Sequence, residues 1–310
     1  MTFRLSLLLM LGLTSSALAA EDAPASKYGA GDTKGAMNNL SPEATLKAAK
    51  LVKLGKVYAL GVVTGPDTPA YPGRSSQVVV MAIDDGGGSP LGGNKVTGHD
   101  DIIMSFVGIG TQLDGFGHIG IDRIHYNGVH ARDFYRPDGV TKFGTHDIAP
   151  TATRGVLLDM TKVYKQSPLT PGTAFNRAEI DAAAKAAGIT IGKGDVVLFH
   201  TGWLATATRD PIKFIATQPG LGKAGAEYLA SLGVVMVGAD SAALEAIPFE
   251  DPAQPFIVHQ TLLAKNGVHI LENIDTAALA ADGATEFLFV LGQPRFKGTV
   301  QAVVNPIAIR

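Results

Sequence analysis

The densest chemistry in this sequence lies in Gly108-Ile109-Gly110-Thr111-Gln112-Leu113-Asp114-Gly115-Phe116-Gly117-His118, directly after the apolar run from Ile102. Glycine at this density lets the backbone curl tightly at the end of a strand. Asp114 and His118 then point into a shared cleft and supply a carboxylate and an imidazole. That pair suits a metal ligand beside a proton shuttle, or a base oriented by its carboxylate. A capping aspartate beside a hydrogen-bonded loop histidine is the plain structural alternative. Far downstream, His259 and Glu272 each sit at the end of an apolar run, Glu272 directly after Ile270-Leu271. A carboxylate there is costly to bury unless it is paired or ligated, so a salt bridge or a metal would account for it.

These residues need elements to hold them. Ser41-Pro42-Glu43 reads as an N-cap with proline at the first helical position, and Gly55 closes that helix. Short β-type runs follow at 57 to 63, 77 to 83, 102 to 107 and 155 to 158. A helix is expected from Asn176 to Ala187, a buried strand at Val196 to Phe199, a helix from Gly222 to Leu232 and a strand at Val234 to Val237. Glu286 to Leu291 and Val300 to Ile309 close the chain as strands. The pattern is α/β with a mixed central sheet, and residues 40–310 read as one folded unit.

In this setting the residues resemble the cyclase superfamily that contains bacterial arylformamidase (kynurenine formamidase) and isatin hydrolase. The signature of that family, His-x-Gly-Thr-His-x-Asp-x-Pro-x-His, is met in order at Gly110, Thr111, Asp114 and His118. The likeness covers about residues 40 to 310. It takes in Gly55-Lys56-Val57-Tyr58, Gly194-Asp195, Thr201-Gly202-Trp203, Gly238-Ala239-Asp240 with Glu245, the His259 and Glu272 segments, and Val304 to Ile309. The resemblance implies a swivelling β/β/α fold in paired subunits, with a divalent metal site that is often dinuclear. It also implies Asp114, His259 and Glu272 as ligands and His118 as the acid-base. Gly108 and Gln112 replace two signature histidines and Phe116 the proline, which leaves one zinc or manganese ion, with Gln112 as a further ligand or an oxyanion donor. His99, Asp100, Asp101, His125, His130 and His146 lie close enough in sequence to replace a lost ligand.

The expected activity is hydrolysis of a small amide, formamide or cyclic amide or ester by metal-activated water, in a homo-oligomer (dimer or tetramer). Tyr71, Phe116 and Trp203 are candidates to wall an aromatic substrate pocket. The alternatives are a binding protein that lost the metal and a non-hydrolytic cyclase or dehydratase. Residues 1–19 have the form of a signal peptide, a basic residue, a short apolar run and small residues at the end, and imply a periplasmic or secreted protein. Residues 20–39 read as an N-terminal arm.

The chain's composition excludes several classes. A net charge of -2 with 17% charged residues offers no basic face for nucleic acid or for an acidic membrane surface. Cysteine is absent, which excludes thiolate catalysis, thiolate metal sites and disulfides. Ser105 and Ser241 lack the Gly-x-Ser-x-Gly elbow. The glycines of the segment 84–93 lack a phosphate loop's Gly-Lys-Ser/Thr ending, so that segment is a turn or a lid.

Overall fold

In the computed structural model, residues 24–84 and 87–310 are described. The expected signal peptide lies outside them. The strands are β1 (Val57–Ala59), β2 (Ser76–Ile83), β3 (Gly98–Ser105), β4 (Gln112–Asp114), β5 (Ile124–His125), β6 (Val129–His130), β7 (Thr151–Asp159) and β8 (Ala174–Phe175). They continue with β9 (Val196–His200), β10 (Gly220–Leu221), β11 (Met236–Ala239), β12 (His269–Glu272), β13 (Glu286–Leu291), β14 (Gln301–Val303) and β15 (Ile307–Ile309). Nine of these form one mixed sheet in the order β1-β15-β13-β7-β9-β11-β12-β4-β14.

The middle of that sheet, β7-β9-β11-β12, is parallel. Its inner strands β9 and β11 are nearly continuous apolar runs because helices and loops cover both faces. Val196 to Phe199 and Val234 to Val237 are fully buried. The crossover helices are Arg177–Ala187 and Lys223–Leu232. The first is capped as its sequence implies, with the Asn176 backbone N–H donating to the Glu179 carboxylate at 2.9 Å and Gly188 closing it at positive φ. The helix begun by Ser41 spans Pro42–Ala49, and the Ser41 hydroxyl accepts from the Ala44 N–H at 3.2 Å. It ends before Gly55, since Lys50 already leaves the repeat and Gly55 serves a later loop at positive φ.

Two strand expectations need revision. The run from Val300 to Ile309 is two strands, because the Asn305-Pro306 break sends β14 to the edge beside β4 and β15 between β1 and β13. The run at 77 to 83 pairs only with β3, forming a separate antiparallel hairpin whose two strands are largely exposed. Among the described residues between its strands, Leu91 bridges Val96.

The N-terminal arm packs on its own chain. The Asn127 amide donates to the carbonyls of Gly29, Ala30 and Asp32, and the Asp32 carboxylate accepts from the Tyr126 hydroxyl at 2.6 Å. One apolar core runs from Ala36 to Ala308. Among the described residues no helix is long and apolar enough to cross a membrane.

Candidate metal centre

The site lies where β4 is inserted between β12 and β14. Register places Gln112 opposite Glu272 and Asp114 opposite Gln301. Strand periodicity puts Gln112 and Asp114 on the same face, so two polar cross-strand pairs line one buried patch. The Gln301 amide donates to Asp114 Oδ1 at 2.8 Å, and the Gln112 amide donates to Glu272 Oε2 at 2.5 Å with a longer approach to Asp114 Oδ1 at 3.4 Å.

The turn ahead of β4 is held from both sides. Gly110 takes a positive φ with Thr64 packed where a side chain would project, which leaves only glycine at this position. The Thr111 hydroxyl donates to the Asn273 carbonyl at 2.5 Å, and the Asn273 amide returns a bond to the Gly110 carbonyl at 2.8 Å. Gly110 and Thr111 therefore fix the C-terminal end of β12, and with it Glu272, against the start of β4.

His259 closes the cluster from the short helical turn Ile257–His259, which runs into a π-helical turn at Gln260–Lys265. Such widened turns recur at functional sites. The Glu245 carboxylate accepts from the His259 backbone N–H at 3.1 Å and from its Nδ1 at 2.6 Å. That leaves Nε2 facing Glu272 Oε1 at 3.1 Å and Asp114 Oδ2 at 3.7 Å.

Asp114, His259 and Glu272 each offer a ligand atom, and these atoms lie within 4.8 Å of one another in a buried space. It is the one such group of histidine, aspartate and glutamate among the described residues. Asp114 Oδ2 is buried with no hydrogen-bond partner, an orphaned acceptor aimed at the centre. Burial and the neighbouring Asp114 charge push the Glu272 carboxyl up to about 7. His259 lies well above the ordinary imidazole range, because the Asp114, Glu245 and Glu272 carboxylates around it outweigh its burial. Asp114 lies below the usual carboxylate range, because His118 and His259 outweigh its burial.

Three buried carboxylates around a single imidazole leave an excess of negative charge that a divalent cation would compensate. A carboxylate behind the far nitrogen of a ligating histidine is the usual support of a metal-bound imidazole. On chemistry and on the orphaned oxygen, the donor set fits a single divalent cation.

His118 follows a turn in which its N–H donates to the Gly115 carbonyl, and its ring centroid lies 6.4 Å from that of His259. Burial lowers its pKa against the pull of Asp114, so it is a neutral imidazole beside the cluster, able to take up or give a proton.

The four residues read from the sequence, Asp114, His118, His259 and Glu272, converge. Gln112 joins them, with its amide N–H groups on the two carboxylates. His99, Asp100 and Asp101 lie on the exposed hairpin, outside the cluster. The His125 Nδ1 donates to the Phe116 carbonyl, His130 accepts from the Arg132 N–H, and His146 accepts from the Gly298 N–H. Each of these three histidines is occupied by backbone.

Of the aromatic candidates, Tyr71 is near the cluster, since the charges of Glu272 and Glu245 act on its phenol. Phe116 instead stacks on His269 at 4.3 Å and 7°, against the far side of β12. Those two rings line a cavity of about 670 Å³ whose wall contains none of the cluster residues. Trp203 packs with Phe214 and Ala242 and donates its indole N–H to the Phe214 carbonyl. The Thr201-Gly202 turn beside it is held by the Asp240 carboxylate, which gives Asp240 a framework role.

Two residues that carry the site were given no role by sequence reasoning. Glu245 stands alone in the apolar run from Ala242 to Ile247, the same signal that exposes Glu272. Gln301 has no such mark and is found only through the pairing of β14 with β4.

The cyclase family model matches residues 42–246. The chain belongs to the cyclase family. Its fold is similar to that of a crystal structure of a novel cyclase, at 27% identity and a TM-score of 0.82, covering 92% of this chain and 98% of that one. It is also similar to an isatin hydrolase bound to the product analogue thioisatinate (18% identity, TM-score 0.61, 87% and 98% covered). A third likeness is to isatin hydrolase A from Labrenzia aggregata bound to benzyl benzoate (16%, 0.60, 84% and 94%). At these identities the isatin hydrolases bear on the fold alone. No curated protein matches the sequence significantly.

Proposed function

We propose that this cyclase-family chain is a metal-dependent hydrolase of a small amide, formamide or cyclic amide or ester, acting on a C–N bond in the arylformamidase manner. The observation that carries the reading is the buried convergence of Asp114, His259 and Glu272, with the second nitrogen of His259 held by Glu245. Asp114, His259 and Glu272 would hold one zinc or manganese ion. A bound divalent cation supplies Lewis acidity toward an acyl oxygen and lowers the pKa of water. Glu245 keeps the His259 Nδ1 protonated, and thereby keeps Nε2 directed at the cluster. The Gln112 and Gln301 amides hold the outer carboxylate oxygens and fix the inner ones. His118 takes a proton from the attacking water and passes it to the departing nitrogen, a role typically worth about a hundredfold to ten-thousandfold in rate.

The same reading has the protein exported to the periplasm or secreted and assembled as a homo-oligomer. N-terminal sequencing of the mature protein and sedimentation of it test those two points. The deciding experiment is a panel of aryl formamides, lactams and esters assayed before and after thorough chelation, with elemental analysis of protein purified without added metal. Loss of turnover on chelation and its return with one equivalent of zinc or manganese per chain is expected. Full activity in metal-free protein would defeat the mechanism. A protein without metal or turnover would favour the rival, a small-molecule binder, which Gly108 and Gln112 motivate.

A further inference from the structure

Gly108 stands where the family signature has a histidine, and its vacated volume is filled. A Cβ placed there would lie 2.6 Å from Gln301 Oε1 and 2.8 Å from Arg74 Nη1. Arg74 comes from the segment just ahead of β2, and its Nη1 donates to the Gly108 carbonyl at 2.7 Å. Among the described residues it enters no ion pair. It nevertheless adjoins the cluster, because the Gln301 side chain that crowds Gly108 with it donates to Asp114 Oδ1 at 2.8 Å. One guanidinium N–H is thus committed to backbone, and the remaining donors of its fork are available to a ligand.

Beside it, the Tyr71 ring lies 5.5 Å from the guanidinium carbon. The Tyr71 hydroxyl is buried and has no hydrogen-bond partner. A buried phenol left without an acceptor is costly, so such a group in a native fold calls for an explanation. A phenol is protonated at neutral pH, so this hydroxyl is a donor without an acceptor.

We infer that Arg74 and Tyr71 form a two-donor seat for the acyl oxygen of the substrate, the oxygen that gains negative charge during attack and ends in the product carboxylate. The guanidinium is a fixed cation beside the carboxylate cluster, on the side where the missing histidine leaves no metal ligand. This inference rests on the hydrolase reading, yet it is tested by binding, independently of turnover.

The probes are acetate and its neutral isostere acetamide, titrated by thermal shift at constant ionic strength against zinc-loaded protein, with metal content measured in each sample. Wild type is expected to bind acetate more tightly than acetamide. Arg74→Met is expected to lose about tenfold or more in acetate affinity with zinc content unchanged, and Tyr71→Phe roughly three- to tenfold, while acetamide binding moves little. Arg74→Lys keeps the charge without the fork and should fall between. Acetate bound as tightly by Arg74→Met as by wild type, at equal metal content, overturns the seat. Should Arg74→Met lose its metal or its fold, unchanged acetate binding in Tyr71→Phe overturns it instead. A failed chelation assay with an intact acetate preference would sink the hydrolase reading and leave the seat standing.

Discussion

His259 presents its two ring nitrogens to different partners, Nδ1 to Glu245 and Nε2 to Glu272 and Asp114. Glu245→Gln keeps the volume and removes the charge behind the imidazole. Metal affinity, measured by competition with a chromophoric chelator, is expected to fall roughly ten- to hundredfold, as for other partners of ligating histidines. His118 lies outside the three-ligand group, so His118→Asn should leave metal content intact while turnover falls about a hundredfold to ten-thousandfold. Loss of both together would make His118 a ligand and not a proton carrier. Glu272 and His259 were legible because a polar residue at the end of an apolar run has few inexpensive explanations, and Asp114 and His118 because a glycine-rich turn and the family signature single them out. Arg74 and Gln301 were not. Neither stands in a telling local pattern, and both reach the site through pairings distant in sequence.

At the level of elements, the parallel centre and its capped helices follow from apolar runs and cap residues that the sequence displays. The hairpin of β2 and β3 does not. A short β-branched run looks the same whether it enters a sheet or stands apart, and only the absence of other partners distinguishes them. Gly238 shows how closely the central strands approach. A Cβ there would lie 2.8 Å from the Leu271 Cβ and 3.0 Å from both Leu198 Cδ2 and the Leu271 carbonyl oxygen. Gly238→Ala is expected to cost about 1 to 3 kcal/mol by overpacking, lowering the urea midpoint at an unchanged slope. Because Leu271 adjoins Glu272 on β12, the same variant should retain metal less well. An unshifted midpoint would show that β12 yields more readily than this packing implies.

For the whole molecule, His269 links stability to pH. It is fully buried at the start of β12, stacked on Phe116, and its Nδ1 donates to the Asp114 carbonyl at 3.0 Å. Burial pulls its pKa down to about 4, against the opposing effect of Asp114. The folded chain therefore keeps His269 neutral where the unfolded chain protonates it, near 6.5. The associated stability is complete above about pH 6.5 and is lost as pH falls toward 4, by roughly 3 kcal/mol in all. Urea unfolding of wild type and His269→Gln between pH 7 and pH 4.5 checks this, with a shallower pH dependence expected in the variant. Equal slopes would refute it.

The exposed hairpin has a mechanical consequence. Its first strand leaves the body just after Tyr71 and Arg74, and its second returns just before Gly108 and the turn that leads into β4, the strand of Gln112 and Asp114. The paired strands therefore tie the segment that carries the guanidinium to the segment that leads into the ligand strand, so a displacement of one foot is shared by the other.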